Sequence, residues 1–211
     1  MQQITPQTTI IVFDINGVLF TTDYWQLFTL LIRDKNSFRL LVHVLHPYVV
    51  RDIIRLYWKG STNEEYYAHL VSTYSSLAPC KSLLLAAAQA QKPIPSMIEL
   101  VEQLRTLGYQ LHILSNIGMI FFSHLQALHP TFFAHFRAFK IANLDENYLS
   151  KPHKLMYERY QKECNPEHKQ VIFIDDKKRN VYAAQQEGMI GVLFNNPQQC
   201  RKALLALIPG L

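Results

Sequence analysis

The chain has 211 residues, 49% of them hydrophobic and 18% charged, enough apolar material for one sizeable core or a core with a small second lobe, which excludes a disordered chain. The net charge is +5, and its densest basic run is Lys177-Lys178-Arg179. That charge suits an anionic partner, but no basic stripe with interleaved aromatics accompanies it, so nucleic acid is not an expected partner.

The opening stretch, MQQITPQTT, has no positive patch followed by an apolar run, and no signal peptide is expected. The run IIVF (residues 10–13) fits a strand buried on both faces of a parallel sheet. It ends on Asp14, and Gly17 follows closely enough to permit a tight turn. From Thr21 to Gln91 the pattern changes. Apolar blocks at 27–32, 40–45 and 49–57 have helical spacing, and Gly60 stops the last of them. Ser61-Thr62-Asn63 then offers an N-cap ahead of Glu64 and Glu65. Residues 83–90 are strongly helix-forming. The whole region reads as several helices with no strand, and its aromatics Tyr24, Trp25, Tyr57 and Trp58 read as packing, with one or two facing a substrate cleft.

Beyond Pro93 and Pro95, Ser96 is placed to cap a helix that Gly108 ends. LHILSN predicts a strand ending at Ser115, residues 119–128 a helix, and residues 136–142 a further strand. Pro152 can open a helix that runs to Glu163. VIFIDD is another clear strand, followed by a helix over 177–187, the strand IGVLF and a last helix over 203–207. His112, inside an apolar strand, reads as a core histidine. Residues 106–136 lack Asp, Glu, Lys and Arg, but Gly108, Gln110, Asn116 and Pro130 interrupt them, so a buried segment is expected there and no membrane span. Cys80, Cys164 and Cys200 are odd in number and far apart, which fits a reducing, cytoplasmic location.

Strands alternating with helices imply an α/β fold on a Rossmann-like parallel sheet. The expected core is 1–20 with 93–211, and 21–92 an inserted helical lobe. Ligands of such sheets bind at the carboxyl ends of the strands. Those ends carry Asp14, Ser115-Asn116 and Asp175-Asp176, and Ser150-Lys151-Pro152 precedes a helix. Taken singly, each group has a structural reading: a turn, a solvated lysine, a helix cap. Brought to one rim, the carboxylates repel unless a cation compensates. Hard oxygen ligands suit Mg²⁺, and a lysine with a hydroxyl suits a phosphate. Together they point to phosphoryl transfer, with one carboxylate available as a covalent nucleophile.

These motifs, VFDINGVLF, ILSN, SKP and FIDD, resemble in order and spacing the four motifs of the haloacid dehalogenase-like (HAD) hydrolase superfamily, over nearly the whole chain. The resemblance implies that Asp14 is the nucleophile. Ser115, the Asn116 backbone and Lys151 would hold the phosphoryl group of a small phosphorylated substrate. Asp14, the carbonyl of Asn16, Asp175 and Asp176 would hold Mg²⁺. The helical insert corresponds to the family's cap, which closes over the site and helps select the substrate.

One position departs from the pattern. The family's phosphatases carry an aspartate two residues after the nucleophile, which protonates the leaving oxygen and then activates water; this chain has Asn16. An amide can hydrogen-bond but cannot carry that proton. Three readings follow: a Mg²⁺-dependent phosphatase of reduced or selective activity, a weak or inactive phosphate-binding regulatory protein, and a 2-haloacid dehalogenase, a class that also lacks the second aspartate but needs no metal. The sequence leaves oligomeric state and substrate open. Asn16-Gly17 is also a sequence prone to deamidation, which would restore an aspartate.

Overall fold

In the computed structural model, residues 3–33, 46–59, 61–75, 86–208 and 210–211 are described. The elements in chain order are β1 (Thr9–Phe13), β2 (Phe20–Thr22), α1 (Tyr24–Arg33), α2 (Pro47–Lys59), α3 (Asn63–Thr73), β3 (Gln91–Pro93), α4 (Pro95–Thr106), β4 (Gln110–Gly118), α5 (Met119–Leu128), α6 (Pro130–Phe133), β5 (Ala138–Ala142), α7 (Lys154–Cys164), β6 (Gln170–Asp175), α8 (Lys178–Gln186), β7 (Ile190–Leu193) and α9 (Pro197–Leu205).

Five strands form one parallel sheet in the order β5-β4-β1-β6-β7. β1 is central and all five of its residues are buried, because apolar side chains cover it from both sides. On one face Ile11 and Phe13 pack with Leu100, Leu104, Phe121 and Phe133. On the other Ile10 and Val12 pack with Met156, Tyr157, Tyr160 and Phe173. This is the parallel Rossmann-like α/β fold expected of alternating strands and helices. His112 is indeed a core residue: it is buried and its Nδ1 shares a hydrogen bond of 2.9 Å with the Tyr160 hydroxyl. No helix among the described residues is long and apolar enough to cross a membrane.

Several local expectations are corrected. The insert is bounded by strands: β2 and β3 pair antiparallel, Phe20 opposite Pro93 and Thr22 opposite Gln91. Runs of three residues are too short to show a period of two; the pairing is held by tertiary contacts, such as the Gln91 amide donating to Thr22 Oγ1 at 2.8 Å. Ser96 does not cap α4. The helix begins at Pro95 with Ile94 as N-cap, since proline suits the first helical position. α7 begins at Lys154 with His153 as its cap, two residues after Pro152, because the Lys151 backbone is bonded into the site. β4 runs on past Ser115 to Gly118, with a register shift that leaves Asn116 and Ile117 outside the pairing with β5. α9 starts at Pro197, earlier than the 203–207 run suggests, capped by Asn196. Within the insert, Thr62 caps α3 as expected and accepts from the Glu65 N–H. Residues 86–89 are helical, while the apolar block at 40–45, Gly60 and residues 83–85 lie outside the described residues. Trp25, 74% exposed, is not the packing residue its composition suggests, whereas Tyr24, 78% exposed, lines a cavity, as one or two of these aromatics were expected to; the side chains of Tyr57 and Trp58 lie outside the described residues.

Candidate active site

The parallel sheet brings the polar residues that end β1, β4 and β6 to one rim. Asp14 follows β1 directly, and its N–H donates to the Ile174 carbonyl at 2.9 Å, which fixes it between the two strand ends. Its Oδ1 accepts from the Ser115 hydroxyl at 2.6 Å and from the Ile15 N–H at 2.7 Å, and lies 3.1 Å from Lys151 Nζ. Oδ2 carries none of these bonds.

Lys151 is fully buried. Its ammonium donates to the Leu114 carbonyl and to Asp175 Oδ2, both at 2.7 Å, and pairs with Asp14, which uses its three protons. Its main chain is held as firmly. The Asn116 amide donates to the Lys151 carbonyl at 2.8 Å and accepts the Lys151 N–H at 2.7 Å. Asn116 therefore clamps lysine to the end of β4 with its side chain.

Asp175 is also saturated. Oδ1 accepts from the Lys177 N–H at 2.8 Å and the Asn180 amide at 3.0 Å, and Oδ2 accepts from Lys151 and from the same amide at 3.1 Å. Asn180 is buried, and sequence reasoning missed it; its signal was only its place in the first turn of the helix after the acidic pair. The basic run divides. Lys177 pairs with Asp176 at 2.7 Å, and Lys177 and Arg179 line the cavity, while Lys178 is exposed.

The electrostatics follow from burial. Desolvation pushes the Asp14 carboxyl up to about 6; Lys151 opposes the rise, and Asp175 adds to it. Burial works against the Lys151 charge, yet Asp14 and Asp175 hold its pKa above the ordinary value.

Asp14, Asp175 and Asp176 each offer an oxygen, and these lie within 4.8 Å of one another. Asp176 Oδ1 is buried without a hydrogen-bond partner, as an oxygen awaiting a cation would be. Gly17 leaves the room: it has φ +82°, and a Cβ there would stand 2.8 Å from Asp176 Oδ2. The residues present therefore fit a hard divalent cation.

Above the rim lies a cavity of about 370 Å³. Asp14, Asn16 and Ser115 form its floor, and Thr22, Thr62 and Tyr66 of the insert part of its walls. Asn16 is exposed at this floor, and the N–H of Gly17 donates to the Phe20 carbonyl at 2.7 Å. All the rim residues singled out in the sequence thus meet in one place.

A family profile described as a haloacid dehalogenase-like hydrolase matches residues 8–188. No curated protein sequence matches the chain. Among solved structures, a HAD phosphatase from Thermococcus onnurineus is 18% identical, with TM-score 0.68 over 93% of this chain and 97% of that one. A HAD family enzyme from Bacteroides thetaiotaomicron, solved in complex with magnesium and inorganic phosphate, is 17% identical, with TM-score 0.58 over 88% and 93%. An L-2-haloacid dehalogenase from Xanthobacter autotrophicus with chloropropionic acid covalently bound is also 17% identical, with TM-score 0.56 over 96% and 84%. At these identities the likeness establishes a shared fold, which hosts both chemistries. The profile match covers most of the chain and carries the rim residues with it, so the chain belongs to the haloacid dehalogenase-like hydrolases.

Proposed function

We propose that this protein is a Mg²⁺-dependent phosphatase of small phosphorylated metabolites that works through an aspartyl-phosphate on Asp14. The observation that carries this reading is the three-carboxylate cluster of Asp14, Asp175 and Asp176 beside a buried lysine. A dehalogenase needs no metal, so an intact acidic pair beside Asp14 favours the phosphatase, whose metal offsets that charge. Asp14, Asp176 and the Asn16 carbonyl would hold Mg²⁺, with Asp175 bracing them; bound there, the ion neutralises charge on the phosphoryl group.

The chain's own residues supply the rest. Lys151 favours the ionised form of Asp14, and Ser115 holds Oδ1, which leaves Oδ2 to attack phosphorus. The Asp14–phosphorus bond forms as the ester P–O bond breaks. Water then hydrolyses the acyl phosphate and frees Asp14. The leaving alkoxide needs a proton that the Asn16 amide cannot give. The favoured substrates are therefore acyl or aryl phosphates, whose leaving groups depart without much protonation. We assign residues 21–92 as a cap that encloses such substrates. Cys164 and Cys200 are free thiols, in keeping with a cytoplasmic enzyme. Asn16 also favours a second reading, a phosphate-binding regulator without turnover.

The test is phosphate release from acetyl phosphate, an aryl phosphate and a sugar phosphate, with Mg²⁺ and with chelator. Release that needs Mg²⁺ and vanishes in Asp14→Ala supports the phosphatase. Tight binding of Mg²⁺ and phosphate without release supports the regulator. Metal-independent chloride release from 2-chloropropionate overturns both.

A further inference from the structure

The amino terminus of α5 is capped from outside its own segment. Its N-cap is Gly118, which has no side chain to accept a first-turn amide, at a position where Ser, Thr, Asp or Asn is preferred. The acceptor comes from the insert. Glu64, in the first turn of α3, is only 6% exposed, and its Oε1 accepts the Ile120 N–H. A carboxylate there also meets the favourable end of the helix dipole.

The contact requires glycine at 118 for reasons of space alone. The Gly118 backbone, φ −80° and ψ 160°, suits any residue, but a Cβ would stand 2.5 Å from Glu64 Cγ and Cδ. Nearby, burial raises the pKa of the Tyr148 phenol, and the charges of Glu64 and Glu65 add to the rise. α3 therefore has two contacts with function. Thr62 and Tyr66 line the cavity, and Glu64 grips the end of β4 two residues beyond Asn116, the clamp on Lys151.

We propose that Glu64 is a positioning residue that couples closure of the insert to the order of the 115–118 segment. Its carboxylate caps α5 only while α3 lies against the rim. When α3 lifts, α5 loses its cap, and the segment carrying Ser115 and Asn116 loses a support. By reciprocity, a ligand that orders this segment favours the closed insert.

The exchange part of this proposal is independent of the phosphatase reading; the kinetic part rests on it. In the full chain, Glu64→Ala should speed hydrogen exchange at the Ile120 amide about 5-fold, and Glu64→Gln, which keeps an acceptor, should restore most of the protection. Gly118→Ala should act like Glu64→Ala in the parent chain and add nothing in the Glu64→Ala background. With p-nitrophenyl phosphate and Mg²⁺, Glu64→Ala should raise KM by about the same factor, since the closed fraction falls, and Glu64→Gln should restore it. Unchanged Ile120 protection in Glu64→Ala, or effects of Gly118→Ala that persist without Glu64, would overturn the coupling. A chain that hydrolyses no phosphate ester would count against the phosphatase alone, because the exchange comparison still decides the role of Glu64.

Discussion

The rim of the sheet and the helical insert are built to different rules. At the rim, Asp14, Lys151 and Asp175 are 8%, 0% and 0% exposed, and each is held by several bonds from different strands. On the insert, Tyr24 and Trp25 are largely exposed, and the rim is met through the short β2–β3 ribbon and Glu64. Fixed charges at the floor and a lightly held wall suit a site that must keep its geometry while admitting a ligand. The rim has one part that breaks its own rule, Asn16, which is exposed at the floor and carries an amide among the carboxylates.

Asn16→Asp therefore sharpens the comparison most. A carboxyl there should raise kcat on an alkyl or sugar phosphate by about 10²–10⁴-fold, the usual worth of a general acid–base group. An acyl phosphate should gain far less. Equal gains on both would place the missing proton transfer in the activation of water against the aspartyl-phosphate, a step the two substrates share. Peptide mass spectrometry of the active protein gives the companion control, with Asn16 expected intact. The Gly17 nitrogen that would attack its side chain has its N–H bonded to Phe20.

Lys151→Met tests whether the rim is as tightly coupled as its bonds imply. It removes the cation between two buried carboxylates, and loss of one partner from a buried ion group costs about 3–5 kcal/mol. Urea unfolding at neutral pH measures it. A loss below about 1 kcal/mol, the scale of a surface pair, would show that the carboxylates have water or another cation within reach.

The same contrast explains what the sequence reveals. Asp14, Ser115 and Asp175 were legible because a parallel sheet sends strand ends to one rim, and each ends an apolar run. Lys151 was legible from its place between the strand ends and just ahead of a helix, and again from the family's motif order. The side-chain clamp of Asn116 on Lys151, and the four bonds that saturate Asp175, depend on how distant segments meet. Asn180 looks like any polar residue of a helix. Glu64 was read only as the start of a helix, since its partner Ile120 lies 56 residues away. The insert hid β2 and β3 because their pairing is tertiary, and Trp25 misled because aromatic composition carries no direction.

The opposite end of β4 offers a pH test of core rigidity. Burial, with Arg137 and Lys169 nearby, lowers the pKa of His112 to about 4. The unfolded chain titrates near the ordinary value of about 6.5, so it binds the extra proton first. Stability is full above about pH 6.5, falls as pH drops toward 4, and the loss reaches about 3 kcal/mol. His112→Gln should lack this part of the acid dependence in urea unfolding at pH 7 and pH 4.5. A wild type and variant with parallel pH profiles would mean that the imidazole reaches solvent.

The smallest expected effect separates the two regions most directly. Phe13 is fully buried and meets Phe136 edge-on at 6.2 Å, so Phe13→Ala should cost about 3–5 kcal/mol. Trp25 is the larger ring, but at 74% exposure its contact is with Phe28, one turn along the same helix, at 6.0 Å. Trp25→Ala should change stability by no more than about 0.5 kcal/mol, like other substitutions that remove no buried surface. Both are read from urea unfolding under one condition. A cost above about 2 kcal/mol at Trp25 has only a short list of causes, chiefly loss of buried packing. It would mean that the face of α1 carrying Tyr24 and Trp25 is covered in solution, and the insert would then share the rule that governs the rim.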